Sequence, residues 1–569
     1  MSQPNDLAAH ALKQPFAAGM EGVSPATAAK RRRRVVVASS LGAVFEAYDI
    51  VLFGPLAAII AKHFFSGLDE TSAYILTLLS LGLGAVVRPL GGVVFGRLGD
   101  LVGRKIAFLV TIVIAGVSTF LVGLLPSYAA IGIASPALLM LMRILQGLAL
   151  GGEFGGAVVY IAEHAHPSRR GLATSAIHTT TALGLMLAIV VVLACQALVG
   201  KDAFEEWGWR IPFLLSGVML LISVYIRLKL EESPVFQELK RSRRTSTAPL
   251  AEALGTWRYA KRSLIVLFGA VAGHAVVSAT ATYPIYLLML NLKIDWVQLQ
   301  WIILGSSACS VIFIVAAGWL SDHVGRKPLV LAGMLLMALG CFPLYQAVTH
   351  YASPALEEAV ARTPVVVYAD RADCSLRLDP LGVVEYKRSC DIARTAAAKA
   401  AAPYVSRDAP AGAVAYIQIG DGRLQAFDGR ELDSKTYAAR FAAFGKQVRD
   451  ALTSSGYPPR AVPQRTNVVA LIGVLATLSL FAALASGPMG AWLSELFPTR
   501  IRGTSFSTLY QIGWGWFGGL LPTISFTAFA ATGNLYAGLW YSLAVIVPAF
   551  FISLAFLTET RGRRLEHVE

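Results

Sequence analysis

Twelve long apolar stretches separated by mostly short polar connections set the pattern of this chain: 35–61, 72–96, 106–126, 131–157, 171–199, 210–229, 262–290, 298–318, 328–348, 467–494, 503–532 and 535–558. An α-helix needs about 20 such residues to cross the hydrocarbon of a bilayer, so each stretch predicts one membrane span. Charge alternates between the connections. Arg97, Arg104 and Lys105 follow span 2, Arg169 and Arg170 follow span 4, and Lys240, Arg241, Arg243 and Arg244 follow span 6. Arg326 and Lys327 follow span 8, Arg500 and Arg502 follow span 10, and Arg561, Arg563 and Arg564 follow span 12. The connections after spans 3 and 11 hold neither Lys nor Arg. Basic connections stay cytoplasmic, so an even number of spans with both termini inside satisfies the whole pattern.

The polar connections also repeat. Gly96-Arg-Leu-Gly-Asp100-Leu-Val-Gly103-Arg104-Lys105 recurs 222 positions later as Gly318-Trp-Leu-Ser-Asp322-His-Val-Gly325-Arg326-Lys327, identical at seven of ten positions. A weaker pair, Glu163 with Arg170-Gly171 and Glu495 with Arg502-Gly503, is offset by 332. The two offsets differ by 110, which predicts an insertion of about that length between spans 9 and 10. Composition agrees: 29 of the 117 residues in 350–466 are charged, close to the soluble average of about 25%. Within the insertion, Pro364–Tyr368 and Ala413–Ile419 read as strands, the second turning at Gly420-Asp421-Gly422 into Arg423–Phe427. Asp433 reads as the cap of a helix from Ser434 to Leu452.

The predicted fold is therefore an all-α membrane protein of 12 transmembrane helices in two six-helix bundles, with a small α+β extracytoplasmic module between helices 9 and 10. Its divisions are a cytoplasmic tail 1–34, a first bundle 35–229, a central cytoplasmic loop 230–261, helices 7–9 in 262–349, the module 350–466, helices 10–12 in 467–558, and a cytoplasmic tail 559–569. Two homologous halves with a substrate site between them is a common transporter arrangement.

Composition excludes other classes. The 569 residues are 55% hydrophobic and 15% charged, with a mean hydropathy of +0.59, against about 25% charged in soluble domains. A soluble enzyme and a disordered chain are both ruled out as leading readings. The net charge of +14 is dispersed over loops and does not form the one coherent basic surface that nucleic acid requires. Lys30–Arg34 abuts the first span, and the preceding residues lack the apolar core of a secretory signal. The N-terminus is thus expected in the cytoplasm.

Gly96–Lys105 and Gly318–Lys327 resemble the paired loop motifs of the major facilitator superfamily. Arg88-Pro89-Leu90-Gly91, Arg143-Ile-Leu-Gln146-Gly147, Gly151-Gly152-Glu153-Phe154-Gly155-Gly156, Trp207-Gly-Trp-Arg210-Ile-Pro212-Phe213 and Glu231-Glu232-Ser233-Pro234-Val-Phe236 together resemble its metabolite:proton symporter branch, which includes proline/betaine, 2-oxoglutarate, citrate and shikimate permeases. The resemblance covers all but residues 1–34 and the insertion. It implies an inner-membrane secondary transporter that takes up a small polar metabolite, an organic acid or zwitterion, with a proton. Glu46-Ala47-Tyr48-Asp49-Ile50 and His178-Thr179-Thr180-Thr181 depart from the family's usual residues, so no relative's substrate can be copied.

An ionisable group inside a span costs at least about 2.5–3.5 kcal/mol and normally faces a cavity or a partner. Glu46 and Asp49, three apart, share one helix face and are candidates for proton coupling, the alternative being a static salt bridge locking helix 1 to a neighbour. Arg143 joins them as a charge relay or carboxylate holder, since a guanidinium stays charged and binds carboxylates bidentately. A structural pairing with a loop carboxylate is the other reading. Arg143 and Glu153 lie about 15 Å apart along a helix at about 1.5 Å per residue and cannot pair directly. The substrate cavity is expected to draw on Arg88, Gln146, Glu153, His178, His274, Tyr283 and Tyr286, with Trp514 and Trp516 as further liners; packing is the alternative for the histidines and aromatics. Gly96, Asp100, Gly103, Arg104, Asp322, Gly325 and Arg326 are expected gate elements: glycine permits the tight turn and the aspartate can bind a cation or a helix N-terminus in one conformation. Cys374 and Cys390, both in the module placed in the periplasm, are expected to form a disulfide. No cofactor, metal or nucleic acid is expected; the partners are the metabolite, protons and the lipid bilayer, with a functional monomer. A proton-coupled exporter and a transporter-like sensor using the module are the competing functions.

Overall fold

The computed structural model describes residues 40–563, except 50, 67–69, 230–236, 238–239, 242–248 and 376–385, together with 565. The tail 1–34 with its Lys30–Arg34 run, the Glu231–Phe236 motif, and Arg243, Arg244 and Arg564 lie outside the described residues.

Helix α1 covers Ser40–Ala57 and continues through Phe53–Phe64. Five more helices complete the first bundle: α2 (Glu70–Leu101), α3 (Arg104–Leu124), α4 (Ala134–His164), α5 (Arg170–Val199) and α6 (Arg210–Leu228). The second bundle contains α7 (Trp257–Met289), α8 (Trp296–Val324) and α9 (Arg326–Ala352). The insertion contributes α10 (Pro354–Arg362), α11 (Ser389–Lys399) and α12 (Ser434–Ser454), after which α13 (Val468–Leu496), α14 (Arg502–Ile512), α15 (Leu521–Thr532) and α16 (Leu539–Phe556) close the second bundle. Among the described residues, ten helices are long and apolar enough to cross a membrane. The other two apolar stretches form α2 and a helix that widens into π turns over Gly513–Gly518 and breaks before α15.

Large apolar side chains point outward from these helices. Leu198, Val469 and Ile133 are 85, 81 and 77% exposed, an arrangement suited to lipid, because every backbone polar group is already satisfied inside its helix. Packing between helices then depends on close fit. A Cβ on Gly147 or Gly151 of α4 would collide with the backbone of α2, so the glycine-rich run of α4 serves helix contact. Two further seams, α2 against α14 and α5 against α8, join the bundles. Glycines set both: Gly96 lies against Gly503 and Thr504, and Gly318 against Gly171. The glycines of the ten-residue repeat thus meet the glycines of the weaker repeat.

The insertion folds as a four-stranded sheet in the order β2-β1-β3-β4, with β1 (Val365–Ala369), β2 (Tyr404–Asp408), β3 (Tyr416–Ile419) and β4 (Gly422–Gln425). β1 runs parallel to β2, with α11 crossing between them, and antiparallel to β3, which turns through Gly420-Asp421 into β4. Strand alternation buries Val365, Val367, Ile417 and Ile419 against Ala393, Phe444 and Val448 of α11 and α12. The Asp433 carboxylate accepts from the Lys435 and Thr436 N–H groups at the start of α12, and the bonds from Thr436 and Lys435 hold it below the usual carboxylate range. The module sits on the second bundle: the Tyr404 N–H donates to the Gly533 carbonyl at 3.2 Å and the Ala461 N–H to the Leu292 carbonyl at 3.1 Å.

Cys374 and Cys390 are joined by a disulfide with their Cα atoms 5.2 Å apart. Beside it the Ser375 N–H donates to Asp391 at 3.0 Å and the Ser389 hydroxyl to Asp373 at 2.8 Å. A closed loop of about 15 residues contributes roughly 3 kcal/mol through chain entropy. Reduction is expected to lower module stability by about that amount, and an impermeant thiol reagent should label Cys374 only after reduction. Equal labelling before and after would remove the bond.

Candidate functional site

Buried polar groups gather in two places, one at the end of the bundles carrying the basic loops and one within the spans. At the basic end, α2 finishes at Asp100, and Gly103, with φ 136°, turns the chain into α3. That turn returns Arg104 to an ion pair with Asp100. The carboxylate also accepts from the Gly503 N–H at 3.2 Å and, at 2.7 and 2.5 Å, from the N–H and hydroxyl of Thr504. These donors form the first turn of α14, where unpaired N–H groups and the helix dipole favour an anion. Asp322 does the same in mirror image, accepting from the Gly171 and Leu172 N–H groups at 2.9 Å each, at the start of α5. Gly325, with φ 118°, makes the matching turn, and Arg326 lies 2.9 Å from Asp322. Each aspartate therefore caps a helix of the opposite bundle.

A second pair of carboxylates crosses the same boundary. Glu163, at the end of α4, lies 3.0 Å from Arg502 and 3.9 Å from Arg104. Glu495, at the end of α13, lies 2.6 Å from Arg170 and 3.3 Å from Arg326. All eight side chains are buried. Residues 558–563 and Leu565 lie across this cluster: Arg170 donates to the Arg563 carbonyl at 3.0 Å and Arg502 to that of Leu565 at 3.1 Å. Glu559 caps α9 by accepting from the Arg326 and Lys327 N–H groups at 3.0 and 2.9 Å. Burial pushes its carboxyl up, yet the N–H groups of Arg326, Arg561, Lys327 and Thr560 together hold it below its ordinary value.

Within the spans, Glu46 of α1 pairs with Arg227 of α6 at 2.5 Å. One turn on, Asp49 is buried with Oδ1 unpartnered. The Arg143 guanidinium lies 3.4 Å above the Phe53 ring of α1 and donates from Nη1 to Gln146 at 2.6 Å, leaving Nε and Nη2 unpartnered. Gln146 in turn donates to Thr119 of α3 at 2.7 Å. Glu153 is buried with one oxygen unpartnered.

His178 of α5 and His274 of α7 meet edge to face across the bundle boundary, with ring centroids 5.9 Å apart. Phe154 of α4 stacks on Tyr510 of α14 at 4.6 Å and meets the His178 ring at 5.0 Å, while His274 meets Trp514 at 6.0 Å. Among the described residues, Nε2 of His178 and both ring nitrogens of His274 lack partners. Leaving buried polar atoms unpaired costs about 1–3 kcal/mol each, so such a group of them marks a place where a ligand, water or proton can be received. Arg88 lies near Tyr510 and Tyr286. Tyr283 faces its own bundle, stacked on Tyr345 at 6.0 Å, and Trp516 is half exposed on the outer surface. Among the described residues no three metal-ligating side chains converge.

Reading the sequence located the aspartates and histidines but missed four cluster members as site residues. Glu163, Arg170, Glu495 and Arg502 stood out only as a repeat, and Arg227, the partner of Glu46, carried one signal: an arginine in the last turn of an apolar helix. Phe154 stood inside the glycine-rich motif of α4 but was not read as a site residue, and Tyr510 carried no signal.

Comparison with known proteins adds to this geometry. The family model described as "Sugar (and other) transporter" matches residues 35–265 and 443–569. The inner membrane metabolite transport protein YhjE of Escherichia coli is 34% identical over 322 residues, 55% of this chain and 72% of that protein. The proline/betaine transporter of Salmonella typhimurium is 34% identical over 326 residues, 55% of this chain but only 64% of its own length. The solved structure of the proton:xylose symporter XylE bound to 6-bromo-6-deoxy-D-glucose shares the fold with a TM-score of 0.60 at 16% identity, over 95% of this chain and 98% of that one. This chain belongs to the sugar (and other) transporter family, and its fold is that of a major facilitator superfamily transporter.

Proposed function

We propose that this protein imports a small organic acid or zwitterion together with a proton, by rocking its two bundles about the aromatic–histidine cluster between them. The family makes the chain a secondary transporter of the inner membrane and not an enzyme. The observation that carries the finer reading is the meeting of His178 and His274 across the bundle boundary, beside unpaired buried polar atoms on both sides. A site shared by two rigid halves changes its access when the halves move. Relatives named as proline/betaine transporters support a zwitterionic or carboxylate substrate, and Arg143 and Arg88 supply charge for a carboxylate.

In this reading all twelve stretches span the membrane, both termini and the basic loops are cytoplasmic, and 350–466 is periplasmic. The latch of Asp100, Arg104, Glu163 and Arg502 with its mirror Asp322, Arg326, Glu495 and Arg170 closes the cytoplasmic side, and Gly96, Gly103 and Gly325 shape that contact. The two acidic residues of α1 then divide their work. Glu46 is held by Arg227 and ties α1 to α6, whereas Asp49, with a free oxygen, carries the proton.

Three outcomes follow from these assignments. Uptake of a labelled panel (2-oxoglutarate, citrate, shikimate, proline, betaine, aromatic acids) should reveal a carboxylate-bearing substrate whose accumulation collapses with a protonophore; protonophore-insensitive accumulation would end the coupling claim. Asp49→Asn should abolish uphill accumulation while substrate exchange persists, and normal uphill uptake in the Asp49→Asn, Glu46→Gln double variant would contradict it. Asp100→Asn should weaken the closed state by about 1–3 kcal/mol, the cost of a lost charge-assisted bond, lowering turnover more than binding. Loss of binding with unchanged cysteine accessibility on both sides would make Asp100 a ligand instead.

A further inference from the structure

Where the insertion rests on the second bundle, the turn between α7 and α8, the residues just after α11, and α12 border a cleft of about 70 Å³ that opens to solvent. A water needs about 10–15 Å³ of such space, so the cleft admits a small group and leaves the rest of a ligand against its open face. Lys293 and Arg449 line it, over walls that include Leu292, Leu356, Leu452 and Pro459.

Lys293 has φ 47°, a left-handed conformation that L-residues with long side chains rarely adopt. The backbone on either side is fixed: the Leu292 and Ile294 N–H groups donate to Leu287 and Leu288 at 3.0 and 3.1 Å, and the Leu292 carbonyl accepts from Ala461 of the insertion. Strain of this kind costs about 1–3 kcal/mol and is concentrated at functional sites. The Lys293 side chain is half-buried and feels two more cations, Arg449 and Arg460. Burial, and then these two arginines, push its ammonium below the ordinary lysine value.

Neighbouring carboxylates do not neutralise this group. Asp295 accepts from the Val297 and Gln298 N–H groups as the cap of α8, and Glu358 is paired with Arg465. Lys293 and Arg449 on the cleft wall, with Arg460 acting on Lys293 from nearby, have no carboxylate partner among the described residues and are complementary to a single negative charge carried on an apolar body. We infer that this seam is a binding site for a small monocarboxylate with an apolar body, separate from the site within the spans.

The test uses the full chain in phosphatidylcholine nanodiscs and benzoate as the probe, and reads acylation of Lys293 by a water-soluble amine reagent through mass spectrometry. Because transport is not measured, the outcome is independent of the transport reading. Benzoate should slow acylation of Lys293 at least about threefold, and uncharged benzamide should leave it unchanged. Arg449→Gln should raise the half-protecting benzoate concentration about tenfold, equivalent to about 1.4 kcal/mol, while Lys446→Gln, exposed on the same helix, should not move it. Equal protection by benzamide, no protection by benzoate, or protection seen only when phosphatidylglycerol replaces phosphatidylcholine would overturn the proposal; the last result would assign the cations to a lipid headgroup.

Discussion

The structure depends on a pair of exchanged helix caps. Asp100 of the first bundle satisfies the N–H groups that open α14 of the second, and Asp322 of the second satisfies those that open α5 of the first. A helix N-terminus leaves four N–H groups without intrahelical partners. Here two of them in each helix are met only while the bundles touch. The contact therefore has one arrangement in which its groups are paired and no intermediate slide that pairs them half-way. Glycine contacts along the same seams bring the backbones close enough for these bonds to form.

The paired glutamates extend that constraint. Taking charges out of water is costly, and a buried pair roughly breaks even, but removing one partner costs about 3–5 kcal/mol. Glu163 and Glu495 each sit between two arginines, one from its own bundle and one from the other. Separation of the bundles would leave each glutamate its own-bundle arginine but take from Arg170 and Arg502 their carboxylate partners. The span cluster between the bundles is built differently, from aromatic rings and polar atoms lacking partners, and is adaptable where the latch is specific.

Much of this was legible in the sequence, for definable reasons. Long apolar runs and the identity between Gly96–Lys105 and Gly318–Lys327 reveal helices and pseudo-symmetry because both are local. The insertion's length emerges from the mismatch of two repeat offsets, and its strands from alternation around Val365 and Ile417. What was hidden is pairing across distance. Asp100 meets residues about four hundred positions away, and nothing local says that a loop aspartate will cap a helix of the other half. The different surroundings of Glu46 and Asp49 were hidden for the same reason, since Arg227, which pairs with Glu46, lies on another helix. The π turns at Val266–Val271 and Gly513–Gly518, beside His274 and Tyr510, leave no mark in hydropathy at all.

Closure of one end of the bundles by the exchanged caps is open to direct distance measurement. It is tested most directly by pulsed electron-spin distances between labels at Ser168→Cys and Val324→Cys, both exposed and on opposite sides of the α5–α8 seam, in a background without Cys195, Cys309 and Cys341. A single short distance is expected in the parent protein, and a second, longer population when Asp100→Asn and Asp322→Asn are combined. A distribution that stays short and unchanged in the double variant would contradict it.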